Sequence, residues 1–192
     1  LEVGDAIIVD VKQGDFFTIS GRAEPRNIED MKVYKDGNTL VVRYNENSGR
    51  RHDTYLSITM PALKSAHFSG ATNSTVSDFI SDGTFDFYLS GASVSQLNLE
   101  ADKINAVLSG ASDLTLSGVT SSLQAQVSGA SELNSYRLIS QEAVLSISGA
   151  SGAKVYASDK LEVSASGASV VLYRGNPSVI RDASGDSSVV PE

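Results

Sequence analysis

The sequence predicts an all-β protein, a right-handed parallel β-helix (β-solenoid) with coils of about 18–21 residues, preceded by an N-terminal β meander. Three observations lead to this prediction. A short serine-glycine motif recurs at nearly constant spacing, apolar residues alternate with small or polar ones around each copy, and no helical periodicity accompanies the repeat. Among 192 residues there are 31 serines and 16 glycines, and their regular placement distinguishes the chain from a flexible linker.

The repeat is the tripeptide Ser-Gly-Ala, which stands at six regularly spaced positions and is followed by a seventh, degenerate copy, Ser-Gly-Asp. Two positions after every glycine stands a serine or threonine, whose hydroxyl can bond to backbone or to the equivalent hydroxyl of the next coil. We expect the glycines to occupy corners, where positive φ and close approach of neighbouring backbone favour glycine. These structural corner glycines are Gly70, Gly91, Gly110, Gly129, Gly149, Gly167 and Gly185.

Alternation between the corners indicates strands with one buried face. Residues 123–127 read Leu-Gln-Ala-Gln-Val, and residues 161–165 read Leu-Glu-Val-Ser-Ala. Each repeat is too short to bury its own apolar face, so successive repeats must stack, at a rise of roughly 4.8 Å per coil. Right-handed connections are strongly favoured between parallel strands, which gives the expected handedness.

The first sixty residues have a different pattern. Asp36 and Gly37 mark a tight hairpin between two of the predicted strands. We interpret residues 1–61 as a β meander that caps the first coil and is continuous with the solenoid of residues 62–192, which makes one structural domain overall. The predicted strands of this segment are 6–11, 16–20, 31–34, 40–44 and 55–60.

Composition excludes several functions. The chain has a net charge of −8, which argues against a nucleic-acid partner. It has no cysteine and two histidines, so we expect neither a metal site of the usual thiolate or three-histidine kind nor any cofactor. It also contains no apolar run long enough for a transmembrane segment.

Three segments together with the repeat resemble a known bacterial family. They are residues 14–21 (GDFFTISG), 36–42 (DGNTLVV) and 56–63 (LSITMPAL), and the Ser-Gly-Ala-Ser copies follow them. In this combination the chain resembles the family named "putative auto-transporter adhesin, head GIN domain", whose function is unknown. The resemblance implies a right-handed β-helix in an exported protein, in the periplasm or at the cell surface, commonly of Bacteroidetes-type bacteria. It supplies no catalytic motif.

Two acidic residues form the first candidate site. Asp113 and Glu132 each follow a Ser-Gly-Ala-Ser copy directly, so stacking would bring them to neighbouring coils, roughly 5 Å apart. Such a pair could bind a cation or split its pKa values for acid-base chemistry. Hydrophobic residues or glycine stand at the equivalent positions of the flanking copies, so the alternative is a pair of solvated turn carboxylates.

Two tyrosines form the second candidate site. Tyr136 and Tyr156 each lie seven residues after a corner glycine, and their parity places both on the outer surface with Arg137 and Arg174 nearby. Exposed aromatic rings beside polar groups can contact a glycan or a protein partner. They can also shield one side of a slim solenoid or form a contact between subunits.

The sequence thus favours a non-enzymatic, exported binding module, adhesin-like, that presents a rigid solenoid face to a glycan or a cell-surface protein. A carbohydrate-active enzyme that uses Asp113 and Glu132 is the alternative, as is a structural module that forms a homo-oligomer.

Overall fold

The protein, described here by a computed structural model over residues 1–45 and 52–192, is a β-solenoid of about seven turns. The predicted fold class is confirmed. Residues 46–51 of the predicted N-terminal segment lie outside these ranges. The elements are β1 (Glu2–Val3), β2 (Ile7–Gln13), β3 (Thr18–Arg22), α1 (Pro25–Asp30), β4 (Met31–Asp36), β5 (Thr39–Tyr44), β6 (Thr54–Met60), β7 (Ser65–Phe68), β8 (Asn73–Leu89), β9 (Val94–Leu108), β10 (Asp113–Val127), β11 (Glu132–Ile147), β12 (Gly152–Tyr156), β13 (Lys160–Ala165), β14 (Val170–Arg174), β15 (Ser178–Ala183) and β16 (Ser188–Pro191).

Parallel ladders join each coil to the next. The central coils are single bent strands, β8 to β11, and each pairs in parallel with its neighbour over nearly its whole length. In the later coils the strand is interrupted at the bend, so β12 and β13 continue the two halves of β11 separately. Inward side chains from all coils form one continuous apolar core, because alternate residues of every strand face the axis.

The repeat motif forms a corner in each coil. All seven repeat glycines have φ between +69° and +83°. The hydroxyl two positions later is turned inward in most coils and donates to the carbonyl three residues before it, as from Ser112 to Ser109 at 2.8 Å and from Ser169 to Ser166 at 2.8 Å. These bonds satisfy a carbonyl at the turn, which gives a reason for the serine or threonine at this position of every copy.

The N-terminal segment differs from a simple meander in its pairing. The hairpin of β4 and β5 at Gly37 is present, with Gly37 at φ +55°. However, β1 and β2 lie inside the parallel ladder, between the coil of β5 and β6 and the coil of β7 and β8. Parallel ladders therefore run across position 61, and the boundary proposed there stays a prediction.

The N-terminal end of the solenoid is a layer of reversed strands. There β3 runs antiparallel to β6 and β4 antiparallel to β5, and α1, which the sequence pattern did not indicate, connects them. Asn27 of α1 is buried and donates from Nδ2 to the His52 carbonyl at 2.8 Å and to Thr54 Oγ1 at 3.0 Å. The Tyr44 hydroxyl also bonds to Thr54 Oγ1. This network closes one half of the end of the core.

Candidate functional sites

The two predicted carboxylates are neighbours in the ladder. Asp113 is in register with Glu132, and the column ends on either side at Val94 and Gly152. Both side chains are exposed, and Lys154 Nζ lies 4.0 Å from Glu132 Oε1. Among the described residues, no group of three or more metal-ligating side chains accompanies them. The geometry is that of an exposed carboxylate pair, partly neutralised by one lysine.

The predicted tyrosines also lie in adjacent coils. Tyr136 and Tyr156 directly follow the paired residues Ser135 and Val155, and Tyr156 pairs with Arg174 of the next coil. The Arg174 guanidinium reaches back over the Tyr136 ring, with its carbon 4.1 Å from the ring centroid. Both tyrosines are half-buried, and Arg174 covers one face of the Tyr136 ring.

Electrostatic interactions fix this tyrosine column further. Arg174 Nη2 lies 2.7 Å from Glu192 Oε2. Burial of the hydroxyl and the neighbouring Glu192 carboxylate raise the pKa of Tyr136 to about 12. The Tyr136 hydroxyl, together with the Arg174 cation, lowers the pKa of Glu192. Tyr136, Tyr156, Arg174 and Glu192 come from four successive coils, so the column links these coils through side chains as well as through the ladder.

Arg137 lies apart from the tyrosine column. It is exposed and pairs with Ser117, after a register shift in which Ser135 and Tyr136 stand opposite the single residue Leu116. This β-bulge adds one residue to β11 and interrupts the regular alternation of its side chains. Arg137 therefore does not continue the column to which Tyr136 belongs. The structure therefore brings Tyr136 and Tyr156 together with Arg174 rather than with Arg137.

A groove on the outer face of the N-terminal coils, which we call the outer groove, was not predicted. Two rows of outward side chains cross the four adjacent strands β3, β6, β2 and β8. The groove has a volume of about 410 Å³. The first row consists of Arg22, Tyr55, Ile8 and Asn73, and the second of Ser20, Ser57, Asp10 and Thr75.

Tyr55 is the central aromatic residue of the outer groove. Its side chain is 41% exposed, and the Arg22 guanidinium lies 5.3 Å from the ring centroid. Asp10 in the second row forms an ion pair with Lys12 at 3.2 Å. The outer groove thus combines an accessible ring with carboxylate, amide, guanidinium and hydroxyl groups. In the sequence, Tyr55 stands between Thr54 and Leu56, and the alternation of this strand predicts that its ring points outward. The other side chains of the groove come from distant strands, so the sequence pattern could not place them beside Tyr55.

A second groove, the end groove, lies at the N-terminal end of the solenoid, and no residue of α1 lines it. Its volume is about 750 Å³, and its walls come from β3, the β4–β5 turn, the end of β6 and the turn before β7. Ile19 is in register with buried Ile58 and faces the same way, yet it is 44% exposed. Phe16 and Phe17, directly before β3, are 77% and 78% exposed. Large apolar side chains so accessible to water commonly mark a binding surface.

The stacked coils and their surface columns define the class of the protein as a parallel β-solenoid. The chain belongs to the family described as "Putative auto-transporter adhesin, head GIN domain", whose model matches residues 1–177. The resemblance noted in the sequence is therefore confirmed. No curated protein matches the chain.

Solved structures share the fold. A putative adhesin from Bacteroides fragilis NCTC 9343 has a TM-score of 0.87 and 16% identity, over 99% of this chain and 88% of that one. A putative adhesin from Parabacteroides merdae ATCC 43184 has a TM-score of 0.77 and 14% identity, over 100% and 90%. A putative lipid binding protein from Parabacteroides distasonis ATCC 8503 has a TM-score of 0.74 and 13% identity, over 100% and 92%. At these identities the likeness concerns the fold alone. Within the described residues, no helix is long and apolar enough to cross a membrane.

Proposed function

We propose that the protein is a non-enzymatic, exported binding module of adhesin type, which holds a glycan in the outer groove at Tyr55. The single observation that carries the proposal is the arrangement of this groove: a partly exposed aromatic ring set among polar side chains on a rigid four-strand surface. The family description, which is that of an adhesin, supports an exported location at the surface or in the periplasm.

The chemistry of the outer groove suits a sugar. The face of an aromatic ring carries partial negative charge, which attracts the C–H groups of a sugar ring, and Ile8 extends the apolar surface beside Tyr55. Asp10 and Asn73 offer acceptors and donors to hydroxyl groups on either side of that surface. Because the side chains project from hydrogen-bonded strands, binding orders no additional backbone, and the entropy lost is that of the side chains.

The outer groove is a better glycan site than the tyrosine column predicted from sequence. The Arg174 guanidinium lies 4.1 Å from the ring centroid of Tyr136, whereas the Arg22 guanidinium lies 5.3 Å from that of Tyr55. In addition, the hydroxyl of Tyr136 is buried. The contact of Tyr136, Tyr156 and Arg137 with a partner stays a prediction. The enzyme alternative at Asp113 and Glu132 and the homo-oligomer are also untested proposals.

A glycan array with wild-type protein and two variants tests the proposal. Tyr55→Ala removes the central ring, and we expect retention of the bound glycans to fall at least about tenfold, since loss of a well-packed aromatic contact exceeds 1.4 kcal/mol. Tyr34→Ala is the matched control, because Tyr34 is similarly exposed and has an arginine, Arg43, 5.5 Å from its ring, but lies outside the groove. Equal binding by wild type and Tyr55→Ala would refute the proposal, as would an array on which the wild type binds nothing.

A further inference from the structure

We infer that the end groove is a binding site for a single-chain anionic amphiphile, an alkyl chain that carries a carboxylate, sulfate or phosphate head. The site is separate from the outer groove, so either proposal can fail without the other. It follows from the shape of the open end, from its apolar lining and from the sign of the charges at its rim.

The groove has an apolar lining because side chains that face the core at this end are not covered by a further strand. Ile19 pairs with Ile58 and points into the axis of the solenoid, but no strand lies beyond β3 among the described residues. Met60, Leu63 and Leu40 continue the same apolar surface below the groove. Burial of such a surface by an alkyl chain is favourable, at about 25 cal/mol per Å² removed from water.

The opposite end of the solenoid is closed differently. In β15, Arg181 stands in register with buried Val163, at a position that faces the axis, and its Nη1 donates to the Val189 carbonyl at 3.1 Å. A charged side chain thus crosses the last coil at a position that faces the axis. An inward-pointing charge at a sheet edge disfavours pairing with a strand of another chain. At the N-terminal end, by contrast, apolar side chains of the end groove stay accessible, with Ile19 44% exposed and Phe17 78% exposed.

The charges at the rim select the head group. The charged side chains that line the end groove are Lys35 and Lys64, both exposed, and no acidic residue lines it within residues 1–45 and 52–192. Neither ammonium group has a carboxylate within ion-pair distance in the described part of the chain. In a protein of net charge −8, a purely basic rim on an apolar groove is complementary to an anionic head attached to an apolar tail.

The volume of the groove favours one small ligand over a macromolecular surface. About 750 Å³ falls within the range of 300–1,000 Å³ that is usual for small-molecule sites, and the groove is walled on several sides by strands and turns. We therefore commit to a free single-chain amphiphile as the occupant. A lipid bilayer and a second copy of the chain are outcomes that the test can reveal.

Calorimetric titration of the full chain with dodecanoate, below its micelle concentration, tests the inference. We expect saturable binding of one dodecanoate per chain, weaker at high salt because screening acts on the exposed lysines, and at least about tenfold weaker binding of dodecyltrimethylammonium. The double variant Lys35→Glu with Lys64→Glu should invert this preference. The control pair Lys32→Glu with Lys103→Glu, which changes net charge equally outside the groove, should leave it unchanged.

A second variant addresses the tail. Phe17→Ser shortens an exposed side chain at the groove wall, so the fold should be retained, and dodecanoate affinity should fall about threefold or more. Equal binding of the anionic and cationic probes, or unchanged binding in both groove variants, would overturn the inference. Binding to phosphatidylglycerol vesicles but not to free dodecanoate would overturn the inference in favour of a membrane surface. A dimer detected by light scattering, which dissociates in Phe17→Ser, would overturn it in favour of self-association.

Discussion

Substitution of a corner glycine tests the stacking of the coils directly. In Gly149→Ala the added Cβ would lie 2.5 Å from the Gly129 carbonyl oxygen of the preceding coil, at a residue with φ +83°. Real Cβ atoms do not approach backbone oxygen so closely, so one coil must shift. The shift would strain the bond from the Ala150 amide to the Gly129 carbonyl, which is 2.8 Å long.

Three effects determine how much Gly149→Ala should lower the free energy of unfolding. The left-handed conformation costs a residue with a Cβ about 1–2 kcal/mol, overpacking against fixed backbone adds about 1–2 kcal/mol, and a weakened ladder hydrogen bond adds about 1 kcal/mol. Gly37→Ala is the matched control, because Gly37 also has positive φ, at +55°, but nothing lies within 4 Å of its added Cβ. The control pays only the conformational cost, so the two variants should differ by about 2–3 kcal/mol.

Thermal unfolding followed by far-UV circular dichroism measures the difference. For a chain of this size, 1 kcal/mol corresponds to about 2–4 °C in Tm, so Gly149→Ala should melt about 4–12 °C below Gly37→Ala. Proteolysis of both variants should confirm that the loss begins at the coil of Gly149. Equal Tm values for the two variants would refute the reasoning, since they would show that the close approach of backbones at the corner carries no energetic consequence.

Three further predictions concern the tyrosine column, the carboxylate pair and the helical cap. Because the folded pKa of Tyr136 lies above its ordinary value of 10, its contribution to stability is complete below pH 10 and lost as the pH rises toward 12. Wild-type Tm should therefore fall more steeply than that of Tyr136→Phe between pH 10 and 12, and parallel curves would contradict this. Wild-type protein should release no new reducing or unsaturated ends from acidic or neutral polysaccharides, with or without calcium; release that Asp113→Asn abolishes would establish the enzyme alternative. Asn27→Ala should lower the free energy of unfolding by about 2 kcal/mol, because the His52 carbonyl loses its side-chain donor and Thr54 Oγ1 keeps only the hydrogen bond from Tyr44. Hydrogen exchange should show that loss in β3 and α1 first, and unchanged exchange there would argue that Asn27 does not close the core.

The repeat made the central coils predictable. A nearly constant spacing of hydroxyl and glycine positions determines which residues stack, so the register of Asp113 with Glu132 could be derived from sequence and is present in the structure. The hairpin at Gly37 was predictable for a local reason, since Asp-Gly favours a tight turn with positive φ.

Pairing between distant segments was not predictable from local pattern. An alternating strand such as β2 indicates a buried face, but it does not say which strands lie beside it, and β2 takes β6 and β8 as parallel neighbours. The outer groove depends on this placement, because its rows join residues from four strands. The column at Tyr136 was only partly predicted, since a β-bulge and the reach of Arg174 are properties of side-chain packing rather than of spacing.

The measurement that most directly tests the central claim, that the outer groove holds a glycan, is an NMR titration of isotopically labelled protein with a glycan selected on the array. We predict that the largest amide shifts cluster in β3, β6, β2 and the first half of β8, around Tyr55, and that they disappear in Tyr55→Ala. Shifts that cluster instead around Asp113 and Glu132, or around Tyr136, would contradict the claim.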